Sequence, residues 1–182
     1  KLLTPEKVVE IQVRLGSDIM MVLDQCVKYP CSEREAEEAV ERTTEWAARS
    51  LEPHGARIEA GGYERVLFAI VQGSVFPRLR ERSAADLVSL DFPGYAIGGL
   101  AVGEPKEQLY GTAAAAASLL PEDRPRYLMG VGFPEDLVEA VYRGIDMFDC
   151  VMPTRNARNG TVFTSRGRVI LKNASNREDF GP

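Results

Sequence analysis

Five short apolar runs alternate with helix-patterned segments along this chain, and that alternation limits its fold more than any other feature. The runs are 18–24, 65–72, 94–100, 126–131 and 147–152. Each is nearly continuous in apolar residues, as strands covered on both faces must be. The intervening segments carry helix punctuation. Thr4 caps a helix over 5–15, Pro5 suits its first position and Gly16 ends it. Ser32-Glu33-Arg34-Glu35 forms a capping box that opens a helix to about Leu51, with Ala36, Val40, Thr43, Ala47 and Leu51 on one face. A polar, glycine-containing loop is expected over 54–62. Further helices are expected over 77–90, 106–120 and 134–143, the last with proline first and Gly144 after it. After Gly160 the period changes, and residues 161–171 read as a β-hairpin turning at Ser165-Arg166-Gly167. This order predicts an α/β fold with a parallel sheet. Five βα units suit either an open doubly wound sheet or an arc of an eight-stranded (β/α)8 TIM barrel.

Both architectures place their chemistry at the carboxyl ends of the strands. That rule marks Asp24, Gln72, Gly99–Leu100, Gly130–Gly132 and Asp149 as one rim. The stretch after the last run is the most informative: Phe148-Asp-Cys-Val-Met-Pro-Thr-Arg-Asn-Ala-Arg-Asn-Gly160 sets an acid beside Arg155 and Arg158 in what reads as an Asn- and Gly-rich loop. Two guanidinium groups there make a clamp suited to phosphate. With Arg166, Arg168 and Lys172 they form a basic stretch containing no acid, in a chain whose net charge is −5. The overall balance argues against non-specific wrapping of nucleic acid, but a local basic patch remains compatible with an RNA contact.

On residue chemistry alone, Asp24 accepts hydrogen bonds from paired N–H donors, or serves as a cap or salt-bridge partner. Gln72 offers a donor and an acceptor. Gly98 and Gly99 let a planar ligand approach the backbone. Together they match the hydrogen-bonding edge of a purine. Asp149 suits attack on a sugar anomeric carbon, as carboxylates do in retaining glycosyl transfer. Asp24 is a candidate second acid by type, and Asp146 reads as a surface residue.

The odd cysteine count (Cys26, Cys31, Cys150), without a C-x-x-C pair, argues against a disulfide framework, and one histidine, His54, argues against a zinc site made from this chain alone. The thiols are expected to be small buried or half-buried groups. No apolar run approaches the ~20 residues of a membrane span. The first residues lack a signal peptide's apolar core, so a cytoplasmic location is expected.

Five motifs resemble bacterial tRNA-guanine transglycosylases (queuine/preQ1 tRNA-ribosyltransferases): Val22-Leu-Asp-Gln-Cys26, Ile70-Val-Gln-Gly73, Ala96-Ile-Gly-Gly-Leu-Ala-Val-Gly-Glu104, Tyr127-Leu-Met-Gly-Val-Gly132 and the 148–160 stretch. The resemblance runs along practically the whole chain. It implies a (β/α)8 barrel that exchanges guanine at the wobble position of G-U-N anticodon tRNAs for preQ1, in queuosine biosynthesis. It implies that Asp149 is the nucleophile, forming a covalent Asp–ribose intermediate. It implies that Asp24 and Gln72 hydrogen-bond the purine, with Gly99 as backbone donor, the Leu100 carbonyl at the preQ1 aminomethyl group and Met129 as an apolar wall. Arg155, Arg158, Thr154 and Asn156 are then the segment that holds the anticodon stem-loop. Family members are about twice this length. The resemblance places a further aspartate, the general acid/base, upstream, and a structural zinc bound by three cysteines and a histidine downstream. Residues 1–182 are thus expected to be a single partial barrel domain, with 173–182 leading into the zinc segment and its ligands outside this chain. A homodimer is a further implication. The alternatives are a retaining glycosidase or N-glycosidase, a non-catalytic RNA-binding subunit of the same family, and a TIM-barrel enzyme for a small phosphorylated metabolite.

Overall fold

A computed structural model describes residues 2–59, 65–165 and 167–178, the side chains of 56–59 apart. Its five parallel strands are β1 (Ile19–Met21), β2 (Val66–Val71), β3 (Tyr95–Ile97), β4 (Arg126–Leu128) and β5 (Met147–Phe148). They lie side by side in chain order, every neighbour parallel. A doubly wound sheet reverses its strand order at a switch point. No reversal occurs here, so the sheet is singly wound, like an arc of a barrel.

The helices are α1 (Pro5–Leu15), α2 (Glu33–Glu59), α3 (Pro77–Val88), α4 (Lys106–Ser118) and α5 (Pro134–Tyr142). Consecutive helices pack against one another in a layer on the sheet. The core between the layers is apolar: Leu67, Ala69, Ile70 and Val71 of β2 and Ala96 and Ile97 of β3 are all buried. They meet small residues of the helices, Ala47, Ala84, Ala113, Ala116 and Ala117. The alanine run of α4 is therefore a close-packing face, which lets the helix axis approach the sheet.

The helix starts follow their sequence signals. Thr4 Oγ1 accepts from Lys7 N–H, and Gly16 closes α1 in the left-handed conformation. Ser32 Oγ accepts from Glu35 N–H while the Glu35 carboxylate accepts from Ser32 N–H at 2.8 Å, completing the capping box.

Three expectations change. The helix read as ending near Leu51 continues to Glu59, through Pro53. Proline removes only one helical hydrogen bond, and His54 Nε2–H donates to the Arg65 carbonyl at 2.8 Å, pinning this turn to the start of β2. The expected loop over 54–62 is therefore helical as far as 59, and its remainder lies outside the described residues. The first run is a three-residue edge strand rather than a seven-residue buried one: Met20 is buried but Ile19 is 39% exposed. Its free side is closed by a side chain: Gln12 Nε2 donates to the Met21 carbonyl at 2.8 Å and Gln12 Oε1 accepts from Met21 N–H at 2.9 Å. One amide thus takes the place of a neighbouring strand. Finally, β5 ends at Phe148, and the loop expected to carry the arginines contains a short helix, α6 (Met152–Arg158). Pro153 sits in the first turn of α6, where its ring presets φ and its missing N–H costs nothing. The hairpin forms as read, β6 (Thr161–Thr164) against β7 (Gly167–Ile170), with Arg166 outside the described residues.

Candidate active site

The sheet register assembles the rim. Val71 pairs with Ile97, Ile97 with Leu128 and Leu128 with Phe148. The next residue along each strand, Gln72, Gly98, Met129 and Asp149, therefore leaves the sheet at one level. Met21 pairs with Phe68, so Asp24, three residues on, comes level with Val71, one residue short of Gln72, and its carboxylate meets the Gln72 amide. Thr43 of α2 steadies that segment by accepting from Gln25 N–H at 3.0 Å.

At one end of the rim stands Asp149. Its Oδ1 accepts from the Tyr127 hydroxyl at 2.8 Å and from Gly130 N–H at 2.9 Å. Both donors fall on one oxygen. Among the described residues none falls on Oδ2, and the side chain is exposed, so Oδ2 is open to a reaction partner. Burial, with the hydrogen bond to Asp149 second, pushes the Tyr127 phenol up to about 12. Tyr127 therefore keeps its proton at neutral pH and acts as a donor.

At the other end, Gln72 Nε2 donates to Asp24 Oδ2 at 2.7 Å. Burial raises the Asp24 pKa, and the Gln72 hydrogen bond partly offsets it. Gln72 is 0% exposed and its own N–H is held by Ser83 Oγ at 3.1 Å. The amide lies under the glycine pair: a Cβ on Gly98 would stand 2.7 Å from Gln72 Nε2, and one on Gly99 2.5 Å from Gln72 Oε1. The two glycines thus make room for the glutamine amide, a close approach that any larger residue would block. Gly98 N–H is spent on the Val71 carbonyl at 3.0 Å. The Cys26 thiol donates to the Val27 carbonyl at 3.6 Å, and burial followed by the Asp24 charge raises its pKa. Cys26 is exposed at this rim, against the expectation of a buried or half-buried thiol, because the chain leaves the sheet after Met21. Leu100 is 4% exposed, and Met129 packs partly buried against the core.

The loop after β3 holds an unusual conformation, with positive φ at Gly99 (66°), Ala101 (58°) and Gly103 (124°). The Glu104 carboxylate ties it, accepting from Ala101 N–H at 2.5 Å and Val102 N–H at 3.0 Å. Because the peptide is trans, the Leu100 carbonyl points away from Glu104. Between this loop, the 130–133 turn and α6 lies a hollow of about 410 Å³ lined by Glu104, Gly130, Phe133, Asp136, Cys150 and Arg155, among others. Asp136, 7% exposed, is held there by Lys106 Nζ at 2.7 Å and by the Tyr110 hydroxyl. The Phe133 ring meets Phe163 of the hairpin edge-on, centroids 6.3 Å apart, which ties the hairpin to this wall.

Arg155 and Arg158 are exposed and three residues apart on α6, with no carboxylate partner among the described residues. Thr154 Oγ1 donates to the Val151 carbonyl at 2.9 Å, and Asn156 is half-buried. Arg168 and Lys172 are exposed on the hairpin and just past it. The fold thus brings together Asp24 with Gln72 beneath Gly99, and Asp149 with Tyr127 and Gly130; Arg155 and Arg158 stand on α6, which follows β5 directly. Sequence reasoning missed the roles of Tyr127, Glu104 and Asp136. Tyr127 and Glu104 stand inside quoted motifs, but nothing in their spacing shows which backbone or carboxylate they reach. Among the described residues no group of three His, Cys, Asp or Glu side chains could hold a metal ion. No helix among them is long and apolar enough to cross a membrane.

A family model described as queuine tRNA-ribosyltransferase matches residues 1–182. The chain is 58% identical over 179 residues to a queuine tRNA-ribosyltransferase of Desulforudis audaxviator, which takes in 98% of this chain and 47% of that protein. It is 57% identical over 180 residues to the one of Bacillus velezensis, taking in 99% of this chain and 46% of the relative. The chain therefore spans about half the length of the curated relatives it matches. With the motifs seated on one rim of a singly wound α/β sheet, this match along the whole chain places it in the queuine tRNA-ribosyltransferase family.

Proposed function

We propose that this chain is the catalytic part of a tRNA-guanine transglycosylase, a pentosyltransferase whose full barrel has eight βα units. The enzyme exchanges guanine at the wobble position of G-U-N anticodon tRNAs for preQ1. The observation that carries this reading is Asp149 with both donors on Oδ1 and Oδ2 open, at the same sheet level as the Asp24–Gln72 pair.

Asp149 Oδ2 attacks C1′ of the wobble nucleotide. The C1′–N9 bond breaks, its electron pair passes to N9, and guanine leaves with a proton from an acid that the family carries upstream of this segment. The ribose is then held as an aspartyl ester. PreQ1 loses its N9 proton, N9 attacks C1′, and the Asp149 carboxylate is released unchanged. The Tyr127 hydroxyl and Gly130 N–H orient the nucleophile throughout. Asp24 faces the purine N–H donors and Gln72 fixes its carboxylate. A direct contact from Gln72 to the base requires its amide to move out from beneath Gly98–Gly99. The Leu100 carbonyl meets the preQ1 aminomethyl group and Met129 walls the pocket. Arg155 and Arg158, with Thr154 and Asn156 beside them, hold the anticodon backbone, and the hollow beside Arg155 takes a nucleotide next to the flipped one.

A cytoplasmic homodimer with a zinc site formed by residues outside this chain completes the reading. Labelled guanine offered to a G-U-N anticodon tRNA tests it, using this chain and a protein of full family length. Incorporation that disappears on Asp149→Ala supports reaction and nucleophile together. Free guanine and abasic RNA without incorporation would instead indicate hydrolysis.

A further inference from the structure

Arg80 is the largest fully buried side chain among the described residues, 1% exposed, and it touches neither Asp149 nor Asp24. It lies one turn into α3, and no carboxylate pairs with it among the described residues. Burial depresses its pKa to about 10, so it stays charged at neutral pH. Burying a cation without a counter-charge is costly, and an apolar side chain of like volume would pack as well.

Its hydrogen bonds are placed with respect to Gln72. Arg80 Nε donates to the Ser74 carbonyl at 2.8 Å and Nη1 to the Val71 carbonyl at 2.9 Å. These two carbonyls bracket Gln72 and Gly73. The turn between them is strained, with φ of 129° at Gly73 and 49° at Ser74. One guanidinium therefore holds open the turn from which Gln72 reaches Asp24.

Nη2 is left over. It is buried and without a partner, and so is Gln72 Oε1. Both converge on Gly99: the point a Cβ would occupy there is 2.5 Å from Gln72 Oε1 and 3.5 Å from Arg80 Nη2. The titratable groups whose charge Arg80 feels are Cys26 and Glu104, on the two loops flanking the base site; Asp24 is joined to the same turn by its hydrogen bond from the Gln72 amide.

We propose that Arg80 is a positioning residue of base exchange, locking the Gln72 turn through two carbonyls and setting a fixed positive charge beside Gly99 that favours negative charge in the base pocket. The inference rests on the base-exchange reading. The charge favours ionised Asp24 before the purine binds, and the electron pair on the purine as C1′–N9 breaks. Buried, pre-oriented charge of this kind acts strongly because no solvent has to reorganise.

The test is guanine exchange against pH in a protein of full family length, comparing Arg80→Gln and Arg80→Lys with the unmodified enzyme. Arg80→Gln keeps hydrogen-bond donors and loses the charge. We expect its kcat to fall ~10- to 100-fold and the acid limb of its profile to move up by roughly one unit. The KM for tRNA should stay within about twofold, since RNA contacts lie elsewhere. Arg80→Lys keeps the charge and loses the fork, so its acid limb stays in place while kcat drops several-fold. A folded Gln variant with unchanged kcat and acid limb overturns the proposal while leaving base exchange standing. If the Gln variant does not fold, the Lys variant decides: an unaltered kcat, or an acid limb displaced despite the retained charge, overturns it. Absence of exchange in the unmodified enzyme would remove the base-exchange reading and this one with it.

Discussion

The Tyr127 hydroxyl donates to Asp149 Oδ1 across 2.8 Å and keeps its proton while doing so, because burial and the neighbouring carboxylate push the phenol up to about 12. Tyr127→Phe removes this donor and leaves Gly130 N–H alone to orient the carboxylate. A hydrogen bond to a charged acceptor contributes about 1.5 kcal/mol, so kcat for guanine exchange should fall roughly 10-fold. The thermal midpoint should hardly change. Single-turnover kinetics on the Phe variant measure this, and an unchanged chemical step would leave Tyr127 without a part in orienting the nucleophile.

Asp149→Asn tests the nucleophile by a separate readout. The unmodified protein, trapped with tRNA under denaturing conditions, should give a protein–RNA adduct. The Asn variant should give none while still retaining tRNA on a filter, since Arg155 and Arg158 are untouched. An adduct in the Asn variant would move the covalent role to another residue.

Asp24 makes a prediction about pH. Its folded-state pKa is raised above the ordinary 3.8, mainly by burial. The folded state therefore holds the proton more tightly than the unfolded state. Its contribution to stability is fully present below 3.8 and is lost as pH rises through the raised folded value. Asp24→Asn removes that loss. The variant should melt no lower than the parent at neutral pH and lose its stability advantage at low pH, while guanine binding disappears. Melting curves across this range check the sign. A variant markedly less stable at neutral pH would mean that the ionised carboxylate stabilises the fold.

Two glycines should respond in opposite directions to alanine. At Gly98 the new methyl would stand 2.7 Å from both Gln72 Nε2 and Ile70 Cγ2. Overpacking of this kind costs about 1–3 kcal/mol and should disturb the Asp24–Gln72 pair, weakening guanine binding. At Gly111, inside α4, a methyl meets nothing within 4 Å. Alanine there should stabilise the protein by about 0.5–1 kcal/mol. Denaturant midpoints for the two variants read both effects.

Arg155→Ala and Arg158→Ala should weaken tRNA binding across sequences and leave guanine affinity alone. Each lost phosphate contact lowers the slope of log K against log salt by roughly one. Fluorescence titrations at several salt concentrations measure that slope, and a slope equal to the parent's would remove the arginine in question from the RNA contact.

The regular elements were legible because they answer to local rules. The centres of β2, β3 and β4, the Thr4 cap and the Ser32–Glu35 box stand where period and capping chemistry put them. The errors fell where a tertiary contact outweighs propensity. His54 bonded to Arg65 carries α2 past Pro53, and loss of sheet pairing after Phe148 frees Val151–Met152 from the strand their apolar character suggested.

The same division holds at the site. By itself the chain determined that Asp24, Gln72, Gly99 and Asp149 stand on one rim, because parallel strands joined by right-handed crossovers present all their carboxyl ends together. Only the tertiary structure decided what each residue does there. It buried the Gln72 amide under two glycines, put both Asp149 donors on one oxygen, and set the uncompensated charge of Arg80 beside Gly99. Such contacts join residues distant in sequence, and their geometry follows from how whole layers pack, which no local period encodes.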